Sequence, residues 1–229
     1  MILEQKLPRE TAREYALRMI RHNITMLELE PGSKVSENEL AGEMGISRTP
    51  VREALIELSK INIVEIFPQR GSYITLIDRS QVDEALFMRL TLEKAMMELV
   101  CRQATAQQIL ELEQNVQLQK FYIDNNHSAK LMELDNEFHA KLFEIADKKR
   151  TYELIQSMMI FFDRVRRLHM KGDSNQFVVE DHEKIVQYIK EKDCVQGKKM
   201  MEEHLTRFKM NWEQMKKAHS SYFLEEDKL

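Results

Sequence analysis

Between positions 36 and 58, apolar residues recur at helical spacing in two short runs. Leu40, Ala41 and Met44 make one stripe, and Val51, Ala54, Leu55 and Leu58 make the next. Each set falls on one face of a helix. Ser36 followed by Glu39 has the form of a capping box for the first helix. Gly45 supplies the permissive backbone that ends it. Ile46 re-enters the core, and Ser47 or Thr49 caps the second helix, with Pro50 tolerated in its first turn. Arg48, Thr49, Arg52 and Glu53 remain on the polar side near the start of that helix. From Ile63 the pattern becomes strand-like. Segments 63–67 and 73–76 flank Pro68-Gln69-Arg70-Gly71-Ser72, predicting a β-hairpin with a basic, glycine-containing tip.

Beyond Asp78 proline is absent and glycine is confined to Gly172 and Gly197. Helix formers dominate, and six helices are predicted at about 79–103, 105–125, 128–146, 149–170, 175–191 and 193–217. Breaks are expected at 103–105, 125–126, 147–148, 171–173 and 192–193, and the charged tail after Lys217 is expected to fray. The fold class is therefore mainly α. It comprises an N-terminal winged helix-turn-helix with a small hairpin wing over 1–77 and an all-α bundle of about six helices over 78–229. Two short amphipathic helices joined at a glycine occur in many helical proteins, but a hairpin directly behind them makes the winged helix specific. Arg48, Thr49 and Arg52 then face a DNA groove, and Arg70 and Gly71 reach a minor groove or phosphate.

Charge modifies this picture. The net charge is −4, and the first 77 residues are close to neutral, whereas a nonspecific nucleic-acid binder is basic. DNA binding must rest on a few placed cations, doubled by dimerisation, and should be salt-sensitive. The two cysteines, Cys101 and Cys194, fit a reducing compartment better than a disulfide framework. No apolar run approaches bilayer length and no signal-peptide pattern opens the chain, so a soluble, cytoplasmic protein without a membrane partner is expected.

Candidate chemistry lies in the helical region. Asp135 and His139 are one turn apart on a helix, and His182 and His204 each sit among apolar residues at helical spacing. One carboxylate and three imidazoles turned inward can bind a divalent metal, although an inward histidine is more often a hydrogen-bonded core residue. His22, His127, His169 and His219 have no such constellation and are expected to make surface or local contacts.

The segments Glu30-Pro31-Gly32, Ser36 to Ala41, Gly45 to Leu55 and Arg70-Gly71 resemble the winged-helix domain of GntR-family bacterial transcription regulators. The resemblance covers most of residues 8 to 77 and implies DNA contacts by Arg48, Thr49, Arg52, Arg70 and Gly71. Two departures stand out. The family often has a glycine before the first wing strand where this chain has Lys60-Ile61-Asn62-Ile63, implying a left-handed Asn62. Asn38 stands where some members carry a DNA-contacting arginine.

Asp135-Asn-Glu-Phe-His139, with His182 in Asp-His-Glu-Lys-Ile and His204 in Met-Glu-Glu-His-Leu, is similar to the FCD effector domain of the FadR-type subfamily. In metal-binding members the positions matching Asp135, His139, His182 and His204 hold the ion, commonly zinc or nickel. Their presence favours that branch over members that bind an acyl-CoA. The resemblance also implies a small carboxylate effector, with Arg89 of the R-x3-E element as its first candidate clamp. Arg164 and Arg166 are weaker candidates, for which solvation or interhelical ion pairs serve equally well. Asn136, Tyr188 and Asn211 are possible pocket residues.

The resulting expectation is a homodimeric regulator, a repressor, that reads a palindromic operator. Its effector acts through the first helix of the second domain and the linker at 76–80. Metal-assisted hydrolysis is the rival, but no separately placed general base is evident. A dimerisation scaffold with a purely structural metal is the other.

Overall fold

The computed structural model describes residues 1–125, 128–170 and 175–225. Its first helix, α1 (Ala12–Thr25), starts at a complete capping box between Thr11 and Glu14. It packs along α3 (Arg48–Lys60). Between them run β1 (Lys34–Val35) and α2 (Glu37–Met44), and after α3 come β2 (Val64–Phe67) and β3 (Gly71–Ile74). The three strands form one antiparallel sheet in the order β1-β3-β2, with Val64 opposite Ile74 and Phe67 opposite Gly71. Met19, Ile20 and Ile24 of α1 meet Val51, Ala54, Leu55 and Leu58 of α3 in the core, all at most 2% exposed.

The local signals hold with small differences. Gly45 ends α2 in the left-handed conformation (φ 65°), and Asn62 takes the same conformation (φ 58°). Ser36 Oγ accepts from Glu39 N at 3.4 Å, the hydroxyl half of the expected box. Ser47 occupies the α3 N-cap without a side-chain cap bond, and Ile46 is half-buried. Gly71 is favoured by its backbone, with φ at 106°, a conformation that L side chains rarely adopt. Helix α1 and strand β1 come in addition to the elements the pattern predicts.

Among the described residues seven further α-helices follow: α4 (Arg79–Gln103), α5 (Ala106–Asp124), α6 (Ser128–Ile145), α7 (Lys149–Met170), α8 (Asn175–Glu191), α9 (Cys194–Thr206) and α10 (Trp212–Ala218). The first five match the expected spans to within two residues. The expected 193–217 helix does not run through; a 3₁₀ turn at Arg207–Asn211 separates α9 from α10. Thr206 Oγ1 donates to the Glu202 carbonyl (2.7 Å) just ahead of that turn. Such back-bonding competes with the helical ladder and bends a helix without any glycine or proline.

The tail also differs from expectation. Ile77 N donates to Tyr222 O (2.7 Å), Leu224 N donates to Ile77 O (2.9 Å), and Phe223 is buried. Apolar burial and these two backbone bonds hold the tail through Leu224. The charged last residues, the expected breaks at 126 and 171–173, and His127 lie outside the described residues.

The chain divides into two compact units. One comprises residues 1–82, 160–165 and the segment from Gln214; the other comprises residues 83–159 and 166–213. In the second unit α5 packs on α6 and α8, and α8 packs on α9. Among the described residues no helix is long and apolar enough to cross a membrane.

Candidate metal centre and DNA-reading face

Helix α6 delivers Asp135 and His139, α8 delivers His182 and α9 delivers His204, all to one point inside the second unit. One ligand atom from each of the four lies within 4.8 Å of every other. His139 Nε2 and His182 Nε2 are each 3.2 Å from His204 Nε2. Asp135 Oδ2 is 3.6 Å from His139 Nε2, and its Oδ1 is 3.9 Å from His182 Nε2. Phe138 stacks on the His182 ring at 4.0 Å, closing the apolar wall.

The outer nitrogen of each ring is anchored. His139 Nδ1 meets a carboxylate oxygen of Glu93, whose other oxygen accepts from Arg89 Nε at 2.6 Å. His182 Nδ1 is 2.8 Å from Gln119 Oε1. Gln119 Nε2 donates to Asn115 Oδ1 (2.6 Å), which fixes the amide orientation and makes His182 the donor. His204 Nδ1 is 3.5 Å from Asp181 Oδ2, and Arg207 grips that carboxylate through two bonds of 2.9 and 2.6 Å. With protons assigned to the outer nitrogens, three Nε2 lone pairs and a carboxylate converge with no hydrogen to share between them. A divalent cation is the partner this donor set fits.

The charge states agree. Burial pushes His139 down to about 4 and His182 well below its ordinary value, so both rings are neutral ligands at pH 7. Burial alone would raise Asp135, but Arg166 and the three imidazoles hold it well below the carboxylate range. Burial likewise opposes ionisation of Glu93, yet His139 and Arg89 bring it to about 2. Three imidazoles and one carboxylate suit zinc or nickel; they complete a tetrahedral set and would leave positions for a further oxygen ligand only on a five- or six-coordinate ion. Removing one anchor tests the arrangement. Gln119→Met, which keeps volume but deletes the acceptor for His182, is expected to lower metal affinity roughly 10–100-fold in competition with a chromophoric chelator.

Of the effector candidates, Arg89 is brought to this centre, 4% exposed and committed through Nε to Glu93. Arg166 is also there, 3.0 Å from Asp135 Oδ2 and donating to Asn136 Oδ1 at 2.6 Å, so the ion-pair reading applies to it. Arg164 is not solvated; it is fully buried and donates to the Thr75 carbonyl (2.7 Å) within the first unit. Tyr188 packs against Gly197 between α8 and α9. Asn211 Nδ2 lies 3.5 Å from His169 Nδ1. His169 is buried rather than at the surface, and burial lowers its pKa. His22 is half-buried on α1, and His219 stacks on Tyr222. Gln119, Asp181 and Arg207 were not singled out by sequence; only Asp181, adjacent to His182, carried any positional signal.

The first unit presents the other face. Arg48, Thr49 and Arg52 are exposed on the first turns of α3. Glu37, the first residue of α2, bridges both arginines. Arg52 Nε and Nη2 reach its carboxylate at 3.1 and 3.0 Å, and Arg48 Nη2 at 3.5 Å. The Arg52 hydrogen bonds lower the Glu37 pKa. Arg70 stands exposed at the hairpin turn, its guanidinium 5.6 Å from the Phe67 ring centroid, directly before Gly71.

Residues 13–74 match the model of bacterial regulatory proteins of the gntR family, and residues 84–207 match the FCD domain. The chain is 30% identical over 228 residues to the HTH-type transcriptional repressor RspR of Escherichia coli, covering 99% of this chain and 100% of that one. The chain belongs to the GntR family. It is a DNA-binding transcription regulator with an FCD domain, and its domains and relatives are those of regulators rather than enzymes. A GntR fold is also found in E. coli McbR/YncC, with a TM-score of 0.77 at 18% identity over 91% of this chain and 99% of that one. A regulator from Rhodococcus gives a TM-score of 0.70 at 18% identity, over 90% and 98% of the two chains. In this GntR regulator, α2 and α3 are the helix-turn-helix and β2–β3 the wing.

Proposed function

We propose that this GntR regulator is a cytoplasmic homodimeric repressor whose hold on a palindromic operator is released by a small organic-acid effector bound at a divalent metal. Arg48, Thr49 and Arg52 read the major groove of each half-site, and Arg70 with Gly71 contacts the backbone or minor groove. Asp135, His139, His182 and His204 hold zinc or nickel, which when bound supplies a Lewis-acidic position for a carboxylate. The observation that carries this reading is the convergence of three imidazole Nε2 atoms and Asp135, each ring anchored from behind by Glu93, Gln119 or Asp181.

Two further observations support it. Helix α4 runs unbroken from Arg79 to Gln103 and bears Arg89 and Glu93, so a group settling beside His139 meets the helix that directly follows the wing. The E. coli relative RspR is a transcriptional repressor by name. Release requires that the effector prefer the DNA-free arrangement.

The test is a mobility shift on DNA from upstream of the protein's own gene, with a series of small hydroxy- and dicarboxylates. Metal-loaded protein is expected to lose the complex with at least one of them, and chelator-stripped protein to keep it. Release that proceeds equally well without metal would remove the metal from effector recognition. Chelation that simply melts the helices would assign the ion a structural role.

A further inference from the structure

The two cysteines of the chain are brought together, and the regulatory reading makes no use of them. Cys101 lies in the last turn of α4 and is 1% exposed. Cys194 is the first residue of α9 and is half-buried. The helices approach closely at Gly197, where a Cβ would stand 2.8 Å from Met97 Cε and 3.6 Å from Cys101 Sγ. Cys194 Sγ lies 4.0 Å from the carbonyl of Glu98, one turn before Cys101 on α4. Gly197 lies one turn after Cys194 on α9 and Glu98 one turn before Cys101 on α4, so these two contacts place the cysteines on facing turns. A single buried cysteine behaves as a small apolar residue, which accounts for Cys101. It does not account for a second, half-buried cysteine set against it in the first turn of α9.

We propose that Cys101 and Cys194 are a hydroperoxide-oxidisable pair that closes to an intramolecular disulfide between α4 and α9. Cys194, the accessible member, attacks as its thiolate. A sulfur–oxygen bond forms, the peroxide O–O bond breaks, and the departing hydroxide takes a proton and leaves as water. Cys101 then attacks the Cys194 sulfur: the S–S bond forms, the S–O bond breaks, and the leaving hydroxide takes the Cys101 proton to give a second water. The two thiols supply two electrons, and one hydroperoxide is reduced. Burial, followed by the neighbouring Cys194, pushes the Cys101 thiol up to about 12. Cys101 therefore keeps its proton and waits as the resolving partner instead of reacting first. Closure fastens α4, which carries the Glu93 anchor of His139, to α9, which carries His204.

The test is thiol titration and peptide mapping of the full-length reduced protein before and after a stoichiometric dose of hydrogen peroxide. Free thiols are expected to fall from two to none, with a mass loss of two hydrogens. Tryptic segments 95–102 and 193–198 should be recovered joined, and dithiothreitol should reverse all three changes. In Cys101→Ser the sulfenic acid should persist on Cys194 and be captured by dimedone. In Cys194→Ser the buried Cys101 should stay unmodified. The wild-type map needs no variant to fold. Thiols that survive the dose, a disulfide joining Cys194 of two chains, or sulfinic acid on Cys194 without the internal link would each overturn the proposal. These readouts follow sulfur alone and do not depend on the metal or effector assignment.

Discussion

Arg52→Ala in the full-length protein is expected to weaken operator binding by roughly 10–100-fold per half-site, the ~1–3 kcal/mol of one base-edge contact. In the proposed dimer the change is carried twice. The module has no basic surface to compensate, and Glu37 stands directly behind the arginine. In the free chain two guanidinium nitrogens of Arg52 hold that carboxylate. Once the arginine is removed, Glu37 is left facing the phosphate backbone and adds repulsion to the lost contact. Arg48→Ala should act in the same direction, since it shares the same carboxylate at longer range. Glu37→Gln is expected to act oppositely on nonspecific duplex, tightening it while narrowing the gap between operator and random DNA, because both arginines are freed from their fixed geometry. Fluorescence anisotropy over a salt series on operator and scrambled duplexes separates these effects. Wild-type affinity in both arginine variants would remove α3 from DNA recognition.

The parts of this regulator that were legible in sequence are those governed by local rules. Periodicity located α2 and α3, the spans from α4 to α8 and the hairpin, and Gly45 and Asn62 marked their left-handed positions. A two-residue strand such as β1 has no period to detect, and its existence depends on pairing with β3. The turn at Arg207–Asn211 was hidden because no helix-breaking residue marks it; the bending comes from a threonine hydroxyl and from the Arg207–Asp181 grip. Four metal ligands could be named from spacing and resemblance. Their anchors could not, since Gln119 is one glutamine among several on α5 and is chosen only by meeting His182 across two helices. The two arginines could not be told apart for a similar reason: Arg164 and Arg166 are two residues apart, yet Arg166 makes the expected interhelical ion pair with Asp135 while Arg164 is buried against Thr75 instead of solvated.

The second large effect is expected from the double substitution His139→Ala/His182→Ala. Two of the four donors disappear, and the remaining carboxylate and imidazole cannot enclose an ion. Both rings are fully buried, so cavities and an unsatisfied Glu93 oxygen also cost stability, on the order of 1–3 kcal/mol for the polar group alone. That cost is present with or without metal. What the variant should lack is the metal-dependent increment: a wild-type site saturated at about a thousandfold over its dissociation constant gains about 4 kcal/mol. Added zinc or nickel should therefore raise the melting temperature of chelator-stripped wild type and leave the variant unmoved.

Elemental analysis of the two proteins, purified side by side without chelator and dialysed against metal-free buffer, addresses the metal centre most directly. Wild type should retain about one divalent ion per chain, as four-ligand sites of this composition do, and the double variant close to none. Equal metal content in both proteins, or a wild type that neither retains nor takes up zinc or nickel, would contradict the assignment of Asp135, His139, His182 and His204.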